Sequence, residues 1–318
     1  MIFEDKNIWA KVICDSIAEG SINRMTTFEI QFPRFILAEL NTHGMLKKCT
    51  QSSRAVPIKA LLDLYKDEFY IPVRFGKNQA GMSSREYLSE VEDMVAGGYW
   101  IQAEASIREL VEVLSDKEGL NVHKQWAARL YEPFMYIKLV ITATEWDNFF
   151  WLRDDEDAAQ PEMVDLVRKM KVARDESTPN VLKAGEWHMP YVETIWERNS
   201  RTLEVHQVFL DTDGQVIDTD TALMISASCC AQSSYRKLDD SIEKAKVVYD
   251  KLFGGSKPHY SPTESQGRVM QGQKANLVQR VFPSLLEVGV SHMDRTTQLW
   301  SGNLKGFVQY RKLLEQKS

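Results

Sequence analysis

A chain of 318 residues, 43% apolar and 26% charged, holds enough apolar material to pack a core in one large or two small domains, which excludes general disorder. Its 39 Lys and Arg against 45 Asp and Glu leave a net charge of -6, which argues against a protein that coats DNA or RNA but allows a small anionic ligand held by a few arginines. The N-terminal MIFEDKNIWAKVICDS lacks an apolar leader core and no long apolar run follows, so the chain is expected to be cytoplasmic and not membrane-spanning.

In chain order, the first predicted element is a strand over residues 24-32, where Thr26, Thr27, Phe28, Ile30 and Phe32 favour an extended backbone. Pro33 then opens a short apolar helix that fails near Asn41-Thr42-His43-Gly44. A polar loop, KKCTQSSRAVP, leads to renewed helical spacing at Leu61, Leu62 and Leu64. After the Gly-punctuated loop FGKNQAGMS, Ser84 is placed to cap a long helix in which Tyr87, Leu88, Val91, Met94 and Val95 recur at helical intervals. More helix is expected over 103-114 and 122-131.

The run FMYIKLVITA (134-143) reads as a strand, and Thr144-Glu145-Trp146-Asp147 as a capped start to a helix carrying Asn148, Leu152 and Arg153. Beyond it come a hairpin around Asp213-Gly214, a small-residue helix over 221-235, a charged helix near 239-253 and the loop GGSKPHYSPTES. No internal repeat or low-complexity linker is present. The expected architecture is α+β, one domain over 1-318 with a hairpin-containing insertion near 195-220.

Three clusters carry chemistry. His43, Thr50, Ser52, Ser53 and Arg54 offer hydroxyls, loop amides and a guanidinium fork within a short stretch, the makings of a phosphate cradle, although a solvated turn has the same composition. His259, Ser261 and Glu264, with Ser233 and Ser234 upstream, bring an imidazole and a carboxylate into reach for proton transfer, or else form a surface loop turned by Pro262. Arg129 either faces a ligand or pairs with a neighbour such as Glu132, since a buried guanidinium needs a partner. The cysteines Cys14, Cys49, Cys229 and Cys230 have no metal-ligand spacing, and no Gly-rich phosphate loop follows a strand.

Taken together, three segments resemble the flavin-dependent thymidylate synthases. THGMLKKCTQSSR (42-54), preceded by PRFILAEL, keeps His43, Ser52 and Arg54 in register with the family's Arg-His-Arg-x-x-Ser-x-Asn-Glu-x-Ser-x-Arg signature, with Thr42, Gly44, Lys47, Cys49 and Thr50 at changed positions. AARLYEPFMYIKLVITATEWDNFFWLRDDEDAAQPEM (127-163) resembles the stretch that supplies a nucleotide-binding arginine and flavin contacts. CCAQSSY and HYSPTES resemble motifs that ordinarily precede the signature, so their later place here implies a circularly permuted order. GEWHMPYV and SGNLKGFVQYRKL are similar to a longer variant of the family found in large bacteriophages.

The resemblance implies a central, mostly antiparallel sheet flanked by helices. It implies a homotetramer binding FAD, with methylenetetrahydrofolate and NADPH as co-substrates and a pyrimidine deoxynucleoside monophosphate as acceptor. Ser52 and Arg54 then take the catalytic positions, and Arg129, Ser52, Arg54 and Glu39 the substrate contacts. The flavin contacts are His43, Asn148, Leu152, Arg153, Ser234, His259, Ser261 and Glu264, and no metal is called for. The changed signature positions leave open a different pyrimidine or C5 group, such as hydroxymethyl on dUMP or dCMP, and a non-catalytic flavin- or nucleotide-binding subunit.

Overall fold

Two strands rich in β-branched and aromatic residues form the centre of the protein. In β2 (Arg24–Pro33) and β4 (Tyr136–Ala143), paired antiparallel with Phe28 opposite Ile141 and Ile30 opposite Leu139, every second side chain faces one side. That side buries Phe28, Ile30, Phe32, Ile137, Leu139 and Ile141 in the main core. Fully burying such side chains contributes about 1.5–3 kcal/mol each. This computed structural model describes residues 4–52, 54–81, 83–200, 202–232 and 238–315.

The full sheet runs β3-β4-β2-β1-β5, adding β1 (Trp9–Ala18), β3 (Lys47–Thr50) and β5 (Asn180–Leu182). All its pairings are antiparallel except β1 with β5. Three of these strands depart from the sequence reading, β5 among them because its three residues are too few to show a period. β1 was not expected: its register shifts between Val12 and Cys14, and a bulge there breaks the alternation that announces a strand. β3 lies inside the predicted polar loop, where Lys47-Lys48-Cys49-Thr50 forms an edge strand on β4.

The short helix after Pro33 forms as α1 (Leu37–Asn41), and α2 (Ile58–Leu64) follows the loop. The long helix α3 (Glu90–Ser115) begins later than expected. Ser84 spends its hydroxyl on the Lys77 and Glu86 carbonyls (3.0 and 2.6 Å), leaving Tyr87 and Leu88 outside the helix. Ser89 caps it instead, its N–H and hydroxyl both donating to the Glu92 carboxylate (2.9 and 2.7 Å). α4 (Lys124–Leu130) joins α2 and α3 around a second core of Tyr65, Tyr70, Val111, Tyr131 and Phe134.

Past β4, α5 (Asp147–Arg153) and α6 (Pro161–Asp175) cover the apolar face of the sheet with Phe149, Phe150, Met163, Leu166 and Met170. Thr144 does not cap α5, because its hydroxyl accepts the Lys305 N–H at 3.0 Å; Trp146 holds the N-cap position. The opposite face of the sheet is polar at its centre. Thr27 bonds Thr142 and His188 (both 2.8 Å), and His188 reaches Ser16 at 2.9 Å. Burial holds the His188 imidazole down to about 3, so it is neutral.

The C-terminal half adds three small sheets. β6 (Trp187–His188), β10 (Gly267–Val269) and β14 (Phe307–Gln309) form one, in the order β14-β10-β6. β7 (Glu193–Arg198), β8 (Val205–Leu210) and β9 (Val216–Ile217) form another, with the expected turn at Gly214 adopting φ 74°. β11 (His292–Met293), β12 (Leu299–Ser301) and β13 (Leu304–Lys305) complete the third. The predicted small-residue and charged helices are α7 (Thr219–Ala231) and α8 (Ile242–Phe253), packed on one another, while α9 (Leu277–Val281) and α10 (Tyr310–Leu314) are short.

Candidate functional site

Pro33 ends β2 and turns the chain into α1, so that Glu39 and His43 leave the sheet at the end covered by α5. Arg153, the last residue of α5, reaches back across more than a hundred residues of sequence. Its Nε donates to His43 Nε2 at 2.8 Å, a second nitrogen donates to Thr42 Oγ1 at 3.2 Å, and the third forms an ion pair with Glu39. A planar guanidinium suits this role because its donors diverge in fixed directions. His43 also packs edge-on against Phe149, with ring centroids 4.9 Å apart.

The local field keeps His43 neutral. Burial, then the Arg153 and Lys48 charges, lower its pKa, and Nε2 must hold a lone pair to accept from Arg153. Lys48 donates from Nζ to the His43 carbonyl at 2.8 Å. Burial and the adjacent Lys47 charge bring Lys48 down to about 8. Lys47 points to the other face of β3, where it lies 3.5 Å from Glu264.

There the second cluster begins. Glu264 is held between Lys47 and an ion pair with Arg311, and Ser261 Oγ lies 3.2 Å from His259 Nδ1. Cys49 donates its thiol to the Ser261 carbonyl at 3.5 Å. The turn Ser261–Glu264 therefore rests on the strand that continues from His43, although more than two hundred residues separate them. Ser234, with Ser53, Ser233 and Tyr235, lies outside the described residues.

The third group is more open. Ser52 Oγ accepts the Arg54 N–H at 3.3 Å, and the Arg54 side chain is exposed. Neighbouring Gln51 pairs with the Lys138 backbone and lines a cavity of about 440 Å³ with Gln31, Tyr65 and Lys138. Arg129 is half exposed and pairs with Glu132 at 3.2 Å, and Glu132 also holds Arg34 at 3.0 Å. Of the two readings of Arg129, the ion pair is the one seen, and the pair includes neither Ser52 nor Arg54. Asn148 and Leu152, four residues apart on α5, share its exposed face.

A cleft of about 680 Å³ opens beside Glu39 and Arg153. Phe35, Tyr70, Trp100, Arg74, Gln160 and Glu162 are among its walls. Tyr70 donates to Glu162 Oε1 at 2.5 Å, and burial raises the Glu162 carboxyl. Arg74 lies over the Tyr87 ring at 4.6 Å. Gly76 is needed in this wall, since a Cβ there would come within 2.3 Å of the Ser84 Cβ. Gln160 and Glu162 fall in the AAQPEM segment, but Tyr70, Arg74 and Trp100 carried no sequence signal for a site.

The sequence matches no family model and no curated protein. The solved structures to which it is similar include pyrimidine-nucleotide enzymes. One is the UMP/dUMP methylase PolB from Streptomyces cacaoi bound with 5-Br UMP, at 17% identity and TM-score 0.45, covering 55% of this chain and 92% of that one. Another is the flavin-dependent thymidylate synthase ThyX from Helicobacter pylori complexed with FAD and dUMP, at 20% identity and TM-score 0.32, covering 47% of this chain and 67% of that one.

Proposed function

We propose that this chain transfers a one-carbon unit to C5 of a pyrimidine deoxynucleoside monophosphate in a flavin-dependent reaction of the thymidylate synthase type, dUMP to dTMP. One observation carries the reading. Contacts from distant segments converge on one stretch of chain, residues 39–49: Arg153 meets His43 and Glu39, and Ser261 and Glu264 meet Cys49 and Lys47 on the other face of β3. That convergence also supports a circularly permuted arrangement of the motifs.

The residues present fit FAD in part. His43, Arg153 and Asn148 offer an imidazole, a guanidinium and a carboxamide suited to the polar edge of a flavin ring, and Leu152 an apolar contact. The diphosphate needs cations besides Arg153, whose donors already serve Glu39, His43 and Thr42; Lys48 is one such cation. When bound, FAD supplies the redox chemistry, with NADPH as reductant and methylenetetrahydrofolate as one-carbon donor.

The chain's own residues bind and orient. Ser52 and the exposed Arg54 take the nucleotide, where a guanidinium also stabilises negative charge developing on the pyrimidine carbonyl during attack from C5. Arg129 joins them only by leaving Glu132, a small cost for an exposed pair. Arg153 holds His43 in one tautomer and orientation.

A second reading, a hydroxymethylase or an enzyme acting on dCMP, is favoured by Glu39, an acid that suits an amino-bearing base once released from Arg153. The test is anaerobic incubation of reduced, FAD-loaded protein with dUMP or dCMP and methylenetetrahydrofolate, followed by mass analysis of the nucleotide. The dTMP mass is expected from dUMP. A hydroxymethyl mass selects the second reading, and a protein that binds neither FAD nor nucleotide overturns both.

A further inference from the structure

On its polar face the central sheet is met at Thr27 by His188 of the C-terminal half, but toward the other end of the same strands that face opens into the cavity of about 440 Å³ beside Gln51. There Trp9 of β1, Gln31 of β2, Lys138 of β4 and Gln51, just past β3, stand in one cross-strand row. Gln31 Nε2 donates to the Asn7 carbonyl at 2.9 Å, and Gln51 Oε1 accepts the Lys138 N–H at 3.0 Å. A backbone carbonyl only accepts and a backbone N–H only donates, so both carboxamides are fixed one way round. Gln31 is left with an acceptor, Oε1, and Gln51 with a donor, Nε2. Lys138 Nζ, 5.7 Å from the centre of the Trp9 ring, is a second donor. Among the described residues these three groups have no hydrogen-bond or ion-pair partner.

The cavity also touches the loop assigned to the nucleotide. Gln51 and Val56 both line it, and between them the Ala55 N–H donates to the Ser52 carbonyl at 3.1 Å, which sets Ser52 and Arg54 at the rim. Tyr65 and Tyr136 add aromatic walls whose hydroxyls are engaged elsewhere, on the Tyr136 carbonyl (2.7 Å) and on Asp5 (2.8 Å). Asp63 and Glu68 line another wall and repel an anionic group from it, which leaves the arginine side for a phosphate.

We propose, on the reading that places the phosphate at Ser52 and Arg54, that the pyrimidine ring enters this cavity and that Gln31, Gln51 and Lys138 read its hydrogen-bonding edge. A uracil edge has carbonyls on either side of N3–H, and a cytosine edge has an amino group, N3 and a carbonyl in that order. Each is matched by one acceptor and two donors, the set this row provides. Only the order differs, with the acceptor between the donors for uracil and at one end for cytosine. Lys138 stands between Gln31 and Gln51, and its flexible stem can bring the ammonium to either side of Gln31. Guanine needs two acceptors and adenine engages a single donor, so a purine leaves part of the row unpaired.

Calorimetric titration of the full chain tests this with dUMP, dCMP, dGMP and 2-deoxyribose 5-phosphate, which keeps the phosphate and lacks the base. Lys138→Met and Gln31→Met are each expected to weaken the better-bound pyrimidine nucleotide about tenfold and to leave the sugar phosphate unchanged, which also shows that the variant is folded. Lys138→Met decides the matter if Gln31→Met, which loses its bond to Asn7, fails to fold. Arg54→Ala should weaken nucleotide and sugar phosphate alike. Tighter binding of dUMP puts Gln31 between the two donors and tighter binding of dCMP puts it at the end, and either supports the pocket. Pyrimidine affinity that survives Lys138→Met and Gln31→Met but falls with Arg54→Ala, or dGMP bound as tightly as the pyrimidines, overturns the pocket and leaves the phosphate loop standing. A wild type that binds no nucleotide removes the loop and the pocket together.

Discussion

Two arginines from the motif segments stand in opposite states. Arg153 is enclosed, with its donors assigned to Glu39, His43 and Thr42 before any ligand arrives. Arg54 is exposed on a loop whose neighbouring Ser52 hydroxyl serves its backbone rather than its guanidinium. The first is preorganised and contributes by holding a shape; the second gains its partner on binding. Substitution should therefore affect stability at one and affinity at the other.

The largest effect is expected at Arg153. Arg153→Ala leaves Glu39 and His43 without their shared donor, and removing a partner from a largely buried, charge-assisted cluster typically costs about 2–3 kcal/mol. The discount below a fully buried pair reflects side chains about one-fifth exposed (21% and 22%). Urea denaturation should show the loss as a lower midpoint at unchanged slope. Arg153→Lys should recover only part of it, since an ammonium cannot span three divergent acceptors. A midpoint unmoved by Arg153→Ala would mean that the cluster is ornamental.

Arg54→Ala should leave the denaturation midpoint within about 0.5 kcal/mol of wild type, as surface substitutions do. If Arg54 meets the nucleotide phosphate, dUMP affinity measured by calorimetry should fall about tenfold or more, the worth of one hydrogen bond to a charged group. Loss of stability without loss of affinity would reverse the comparison and move the nucleotide away from this loop.

The same contrast shows what could be read before the fold was known. β2 and β4 were legible because each is a run rich in β-branched and aromatic residues, and the turn at Gly214 because its chemistry is local. β1 was not, since its bulge shifts the alternation midway, and β3 was not, since its Lys-Lys-Cys-Thr sequence is that of a loop until β4 pairs with it. His43 and Arg153 were suggested by resemblance, but their bond depends on α1 and α5 meeting at one end of the sheet. The cleft was hidden for a related reason: Tyr70 and Trp100 belong to no motif, and long-range packing alone brings them into one cavity with Glu162.

The smallest effect, and the one most sensitive to conditions, belongs to Lys48, which sits between the two states with a charge that burial and Lys47 disfavour. Its folded pKa of about 8 lies below the usual 10.5, so between those values the unfolded chain binds the proton that the folded chain releases. Stability from this group therefore rises with pH through the window from about 8 to 10.5, and below it the full cost of holding a half-buried cation is present. Lys48→Met should accordingly stabilise the protein at pH 7, by about 1–2 kcal/mol once solvent screening is allowed for, and the gain should fade as pH climbs through that window. An anion bound beside Lys48 would act in the opposite sense, restoring its charge and raising its pKa. Denaturation of wild type and Lys48→Met across pH 7 to 10, with and without FAD, separates the two: a gain that disappears when FAD is added places the cofactor's diphosphate at Lys48, and a gain that FAD leaves intact places it elsewhere.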